Sequence, residues 1–289
     1  MKRRPLADLA AAVDDGDVVA LGGKTLHRAP MAFVRELARR DVSDLTLMGL
    51  ANSMDVDLLC GTGQATAVHY GYVGFEALGL APNFRRRVEA DEVDAREGTC
   101  YTVATMLRGA KQGVPFLPVA GLEGSDLLDV SGEWLTETTG PFTGERTAAV
   151  RTVTPDVGVV HATEADEEGN VRYDGADLTE SLVAKAADRV FVTAERIVDT
   201  ETFAADPAAT DVPGFLVDGV AEVPYGAHPC SSPGTYDYDA DHLREYLNRS
   251  KSGAFEAYLS AYLGDGEADY RERALDGRAD ALAWTPEVA

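Results

Sequence analysis

Lysine is scarce in this chain: 5 of its 289 residues are lysine against 21 arginines, while aspartate and glutamate together number 49. The formal net charge of −23 sets up a field that repels phosphate backbones, which argues against nucleic-acid binding. Lysine scarcity together with Asp-rich patches such as Asp14-Asp15-Gly16-Asp17 and Glu89-Ala90-Asp91-Glu92 points to a halophilic protein. At high salt self-repulsion is screened, and hydrated carboxylates keep the surface soluble. A soluble protein with spare charge is the plainer alternative. Cysteine is sparse too. Cys60, Cys100 and Cys230 are odd in number and far apart, which excludes a disulfide framework and fits a cytoplasmic, reducing setting. No apolar run approaches the roughly 18 residues that a membrane helix needs, and none follows Met1-Lys2-Arg3-Arg4-Pro5 as in a signal peptide. The histidines, His27, His69, His161, His228 and His242, never fall at metal-ligand spacing, so no metal site is expected. No G-x-S-x-G elbow, P-loop or G-x-G-x-x-G follows an expected strand. These absences leave chemistry done by carboxylates, backbone amides and residues of a partner.

What is present reads as a globular α/β chain. The hydrophobic fraction of 45% is enough for a proper core. Short apolar runs alternate with helical patterns, which predicts an open, mainly parallel sheet with helices on both faces. Strands are expected at 17–21, 45–50, 65–70, 157–162, 190–194 and 217–223. Helices are expected at 6–13, 30–39, 54–60, 98–112 and 178–187. The stretch from Val119 to Thr147 shows little periodicity and reads as a long functional or interface-forming loop. One α/β domain over 1–240 is followed by a helical extension over 241–289, polar and acidic, expected to pack on the outside.

The first βα unit reads Gly22-Gly23-Lys24-Thr25-Leu26-His27-Arg28-Ala29-Pro30-Met31. It resembles the G-G-x(4)-R-x-P signature of alpha subunits in the glutaconate CoA-transferase branch of family I. Further motifs follow in that family's order: Met54-Asp55-Val56-Asp57-Leu58-Leu59, then Gly71-Tyr72-Val73-Gly74-Phe75-Glu76, then Gly113-Val114-Pro115-Phe116-Leu117-Pro118. Gly124-Ser125-Asp126, Pro155-Asp156-Val157, Asp166-Glu167-Glu168-Gly169-Asn170 and Pro224-Tyr225-Gly226-Ala227-His228-Pro229 continue the series, so the resemblance covers roughly residues 5 to 245. Single motifs of this size are weak, and their ordered recurrence is strong.

The resemblance implies a CoA-transferase fold and a reaction on a coenzyme A thioester, with no tightly bound cofactor. The family's nucleophile is a glutamate in an E-N-G motif of the beta subunit; no such motif occurs here, so a beta partner must supply it. Substrates would be an acyl-CoA and a small carboxylic acid. Gly22 and Gly23, at the carboxyl end of the first strand, let backbone amides face a ligand; read alone, they are equally a tight strand-to-helix turn. The resemblance assigns substrate contacts to Arg28, Asn52, Ser53, Gly74 and Glu76. For Asn52 and Ser53, capping the next helix is the simpler reading. A branch of the family instead opens a ring of a polycyclic, steroid-derived acyl-CoA by hydrolysis, using an acid of the alpha chain that matches Glu97. The dipole of the following helix would also favour an acid there. A third reading is a non-catalytic regulatory or scaffold subunit that retains the fold.

Overall fold

A computed structural model describes residues 1–285; the last four residues of the expected extension lie outside the described residues. In chain order the strands are β1 (Val18–Leu21), β2 (Leu45–Asn52), β3 (Ala65–Val73), β4 (Asp94–Glu97), β5 (Phe116–Val119), β6 (Leu135–Thr139), β7 (Arg146–Arg151), β8 (Val157–Ala165), β9 (Val171–Arg172), β10 (Arg189–Ile197) and β11 (Gly219–Glu222). The helices are α1 (Leu6–Ala10), α2 (Met31–Ala38), α3 (Met54–Gly61), α4 (Pro82–Glu89), α5 (Cys100–Gln112), α6 (Leu127–Val130), α7 (Glu180–Ala186), α8 (Thr200–Ala205), α9 (Ala240–Lys251), α10 (Phe255–Tyr262) and α11 (Glu267–Leu275).

The expected open, mainly parallel sheet is present. Its strand order is β11-β10-β8-β1-β2-β3-β4, every one of these neighbours is parallel, and β9 pairs antiparallel with β8. Continuous apolar strands follow from burial on both faces. In β1, Val19 and Leu21 enter one core with α1, α2, α3 and α4, while Ala20 between them enters a second core with α5 and α7. Chain order runs outward from β1 to β4 and then returns beside β1 at β8. The order in which strands are added therefore reverses between β1 and β8. In open α/β sheets ligands bind outside the carboxyl ends of the strands at such a reversal.

Three expectations change. The stretch from Val119 to Thr147 is not a loop. It contributes to a three-stranded antiparallel sheet, β5-β7-β6, whose Val119, Leu135, Ala148 and Val150 pack into the second core. The edge strand β4 lies outside the expected strands, because Asp-Ala-Arg-Glu carries no apolar run. The tail is not merely external either. Leu243, Tyr246 and Leu247 of α9, with Phe255 and Tyr258 of α10, belong to the first core. Acidic residues on the outer faces of these helices hide an aromatic inner face from any reading by composition.

Candidate active site at the carboxyl rim of the sheet

Three loops leave the carboxyl ends of β1, β2 and β3 and are tied together there. After β1, the chain turns at Gly22-Gly23 and closes a short bridge in which Lys24 N–H donates to the His27 carbonyl (2.8 Å) and His27 N–H returns to that of Lys24 (2.9 Å). Thr25 N–H donates to the Ala51 carbonyl at 2.8 Å, and Ser53 Oγ donates to the Thr25 carbonyl at 2.6 Å. Gly74 N–H donates to the Asn52 carbonyl at 2.9 Å, and Thr25 Oγ1 donates to Glu76 Oε1 at 2.5 Å. These bonds bring the three loops onto one rim.

The glycines are required by close approach. Gly23 has φ +83°, and an added Cβ would lie 2.6 Å from the Arg28 carbonyl group. At Gly22 it would lie 2.9 Å from a Val160 methyl. Thr25 (φ 47°), Arg28 (φ 50°) and Glu76 (φ 51°) all adopt the left-handed region without being glycine. Such strain clusters at functional sites and persists only where neighbours hold it. The N–H of Gly22 donates to the Val159 carbonyl at 2.8 Å, and those of Lys24 and Thr25 are taken as above. Gly23 is buried, and its N–H has no acceptor among the described residues.

Arg28, Asn52, Ser53 and Gly74 are placed at this rim but face inward. Arg28 is 1% exposed; its Nε meets Glu180 Oε1 at 2.7 Å, Nη1 donates to the Asp174 carbonyl at 2.7 Å, and Nη2 donates to that of Ala176. Asn52 Nδ2 donates to Asp55 Oδ2 at 2.6 Å, and Ser53 N–H donates to Asp55 Oδ1 at 2.7 Å. The Ser53 hydroxyl does not cap α3, since it is engaged with Thr25. Both residues are buried, and so is Asn52 Oδ1, which has no partner among the described residues. Gly74 is needed for space, because an added Cβ would meet the Tyr72 hydroxyl at 2.5 Å. Glu76 is exposed and overhangs the glycine turn. Burial holds His27 below the ordinary imidazole value, against the opposing pull of Glu76 and Asp237.

Glu97 is apart from this group. It ends β4 at the sheet edge, three strand spacings, or roughly 14 Å of sheet width, from β1. Its side chain is exposed, and no ion pair or hydrogen bond reaches its carboxylate among the described residues. Only its carbonyl is engaged, by Ser131 Oγ at 2.7 Å. Burial and the Glu97 carboxylate push the Tyr70 phenol up to about 12. The cap of α5 is Thr99, in a reciprocal box with Thr102, so Glu97 lies two residues before the cap, outside the first turn where a helix dipole acts strongly.

Sequence reasoning missed Thr25, Thr179 and Glu180. A Thr-Glu pair heading a helix reads as an ordinary cap, and only the fold reveals that it reaches the glycine turn 156 residues away. Among the described residues, no group of three His, Cys, Asp or Glu side chains is placed to hold a metal ion, and no helix is long and apolar enough to cross a membrane.

This arrangement defines an open α/β protein whose glycine turn lies where the strand order of its sheet reverses. Residues 4–223 match the coenzyme A transferase family. A glutaconate CoA-transferase subunit from Acidaminococcus fermentans is 34% identical, with 89% of this chain and 86% of that one aligned. The crystal structure of glutaconate coenzyme A-transferase from the same organism superposes with a TM-score of 0.94, covering 99% of this chain and 96% of that chain at 32% identity. The cholesterol ring-cleaving hydrolase IpdA subunit of Rhodococcus jostii is 32% identical, with 93% of this chain and 94% of that one covered. A longer protein of Archaeoglobus fulgidus is 35% identical over 87% of this chain, which spans 56% of that protein's length. The chain belongs to the coenzyme A transferase family, as a family I alpha subunit.

Proposed function

We propose that this chain is the alpha subunit of a heteromeric CoA-transferase that moves CoA between a carboxylic or dicarboxylic acyl-CoA and a free acid. The observation that carries the proposal is the N–H of the buried Gly23, which has no acceptor among the described residues where the strand order reverses. A thioester oxygen placed against that donor gains a partner as negative charge develops on it, in a site where the donor is already oriented. The attacking group is a glutamate of the beta partner. Its carboxylate oxygen adds to the thioester carbon, the carbon–sulfur bond breaks, and CoA leaves as thiolate, giving an acyl-glutamyl anhydride. The thiolate then attacks the glutamyl carbonyl and releases the first acid as carboxylate. The second acid takes CoA from the resulting glutamyl-CoA thioester by the same steps in reverse. No tightly bound cofactor is needed, and the three free cysteines suit a cytoplasmic setting.

The test is made on the complex with the beta partner. With acyl-CoA present, borohydride or hydroxylamine should trap a glutamyl-CoA adduct on the beta chain. Transfer without any trappable adduct contradicts the proposal.

A second reading is supported by the exposed, unpaired carboxylate of Glu97 at the same end of the sheet, and by the 32% identity to a ring-cleaving hydrolase subunit. In a hydrolase, Glu97 is a base or nucleophile, and Glu97→Ala lowers turnover by about a hundredfold or more with folding preserved. In a transferase the same variant leaves turnover largely intact. A third reading, a non-catalytic scaffold subunit, requires that the complex show no thioester chemistry at all.

A further inference from the structure

We infer that Thr179 and Glu180, at the head of α7, are positioning residues that preset the glycine turn for the thioester; the inference rests on the CoA-transfer reading. Thr179 occupies the N-cap position of α7, where a threonine hydroxyl ordinarily accepts from a backbone N–H of the first turn. Here it makes no such bond. The hydroxyl instead donates to the Gly23 carbonyl at 2.9 Å. Glu180 Oε2 accepts the N–H groups of Leu178 (2.8 Å) and Thr179 (2.9 Å), so the carboxylate tethers the segment that leads into the helix.

The same carboxylate grips the far side of the turn. Glu180 Oε1 accepts from Arg28 Nε at 2.7 Å, and the two side chains are 0% and 1% exposed. Arg28 is held at φ 50°, and its carbonyl group is what an added Cβ on Gly23 would strike. The Glu180 stem also reaches Gly22, where an added Cβ would lie 3.4 Å from Glu180 Cγ. Two consecutive residues of α7 and its cap thus touch Gly22, Gly23 and Arg28.

A Gly-Gly pair is the most conformationally free dipeptide the chain can offer. An oxyanion donor is effective only when its direction is fixed before the charge appears. Anchoring the Gly23 carbonyl restricts ψ at Gly23, and the Arg28 backbone packed against its Cα restricts φ. Together they set where the free Gly23 N–H points. A threonine that forgoes its cap to hold this carbonyl contributes to the geometry of the turn at the expense of its own helix.

The experiment uses the complete alpha–beta complex with Thr179→Val, which keeps shape and removes the donor, and with Thr179→Ser, which restores it. The expected result is a kcat lower by about tenfold for Thr179→Val, milder than the roughly hundredfold or greater loss seen when an oxyanion donor is removed outright. KM for acyl-CoA should stay within about twofold, because the ground-state carbonyl gains little from the donor. Thr179→Ser should recover most of the loss. In parallel, amide hydrogen exchange over residues 22–28 should be faster in Thr179→Val than in the parent chain. Unchanged kcat, or a lower melting point with kcat and exchange both unchanged, overturns the inference and reduces Thr179 to a packing role. Faster exchange in Thr179→Val than in the parent, when the parent complex is itself inert toward every acyl-CoA, supports the preset turn and rejects the transferase reading.

Discussion

Two arginines are buried in this molecule with almost the same equipment. Arg28 is 1% exposed and pairs with Glu180; Arg35 is 2% exposed and pairs with Glu267. Each also donates to backbone carbonyls, Arg28 to Asp174 and Ala176, and Arg35 to His228 at 2.6 Å. Their surroundings differ. Arg28 sits in left-handed backbone beside Gly23, whose N–H has no acceptor among the described residues. Arg35 lies in regular helix α2, meets both Glu267 oxygens, and has its guanidinium carbon 3.5 Å from the centre of the Tyr270 ring. Arg39 binds the same carboxylate at 3.1 Å. The first pair shapes a loop; the second fastens α11 to the body of the protein. Identical chemistry therefore serves geometry at one end of α2 and stability at the other.

The contrast can be broken most forcefully at Arg35. Arg35→Ala leaves Glu267 without its bidentate partner, and breaking a buried pair from one side costs about 3–5 kcal/mol. Denaturant unfolding should show a loss of that size. The specific activity of the folded fraction, measured at a permissive temperature, should be unchanged. A tail that merely rested on the outside would lose far less.

Acid should act on the tail next. His228 Nδ1 lies 2.7 Å from the Tyr270 hydroxyl, and His242 Nε2 lies 2.8 Å from that of Tyr258. Burial holds both imidazoles below their ordinary value, so both are neutral in the fold. His69 behaves likewise, lowered to about 3 by burial and then by Arg96. Groups with depressed folded values stabilise fully above the unfolded value, near 6.5, and that stability is lost as pH falls toward the folded value. Each such histidine should contribute a slope of at most about 1.4 kcal/mol per pH unit, reached between its folded value and the unfolded one. Unfolding midpoints at pH 7.5, 6 and 5 would measure it; a flat profile would contradict the neutral buried state.

Salt sharpens the comparison from the opposite side. With a net charge of −23, the exposed carboxylates repel one another, and added salt screens that repulsion while leaving buried pairs nearly untouched. The melting temperature should therefore rise in multimolar potassium chloride by the same increment in the parent and in Arg35→Ala. No rise in the parent removes the halophilic reading. Glu97→Ala should have the smallest effect on stability, within about 0.5 kcal/mol, because the side chain is exposed and unpaired. Its effect on turnover separates transfer from hydrolysis.

The parallel sheet was legible because its strands are apolar on both faces. Val18–Leu21 and Val157–Ala165 announce themselves by composition. Strand β4, exposed at the edge, and the small sheet β5-β7-β6, polar on its outer face, carry no such signal. The tail misled because its aspartates and arginines outnumber the tyrosines that enter the core. At the site, the glycine turn and its motif neighbours were visible along the chain. The inward roles of Arg28 and Ser53 were not, since each depends on a contact that only the fold makes, Arg28 with Glu180 and Ser53 with Thr25, while the Asn52 side chain turns to Asp55 three residues on. Sequence locates the rim; packing decides which of its side chains face a ligand.

In the proposed function this chain orients a thioester while a partner attacks it. CoA exchange between an acyl-CoA and free acids should be measured for the purified chain alone and for the chain reconstituted with its beta partner. No exchange above background is expected for the chain alone, and steady turnover is expected once the partner is added. Robust turnover by the single chain would contradict it.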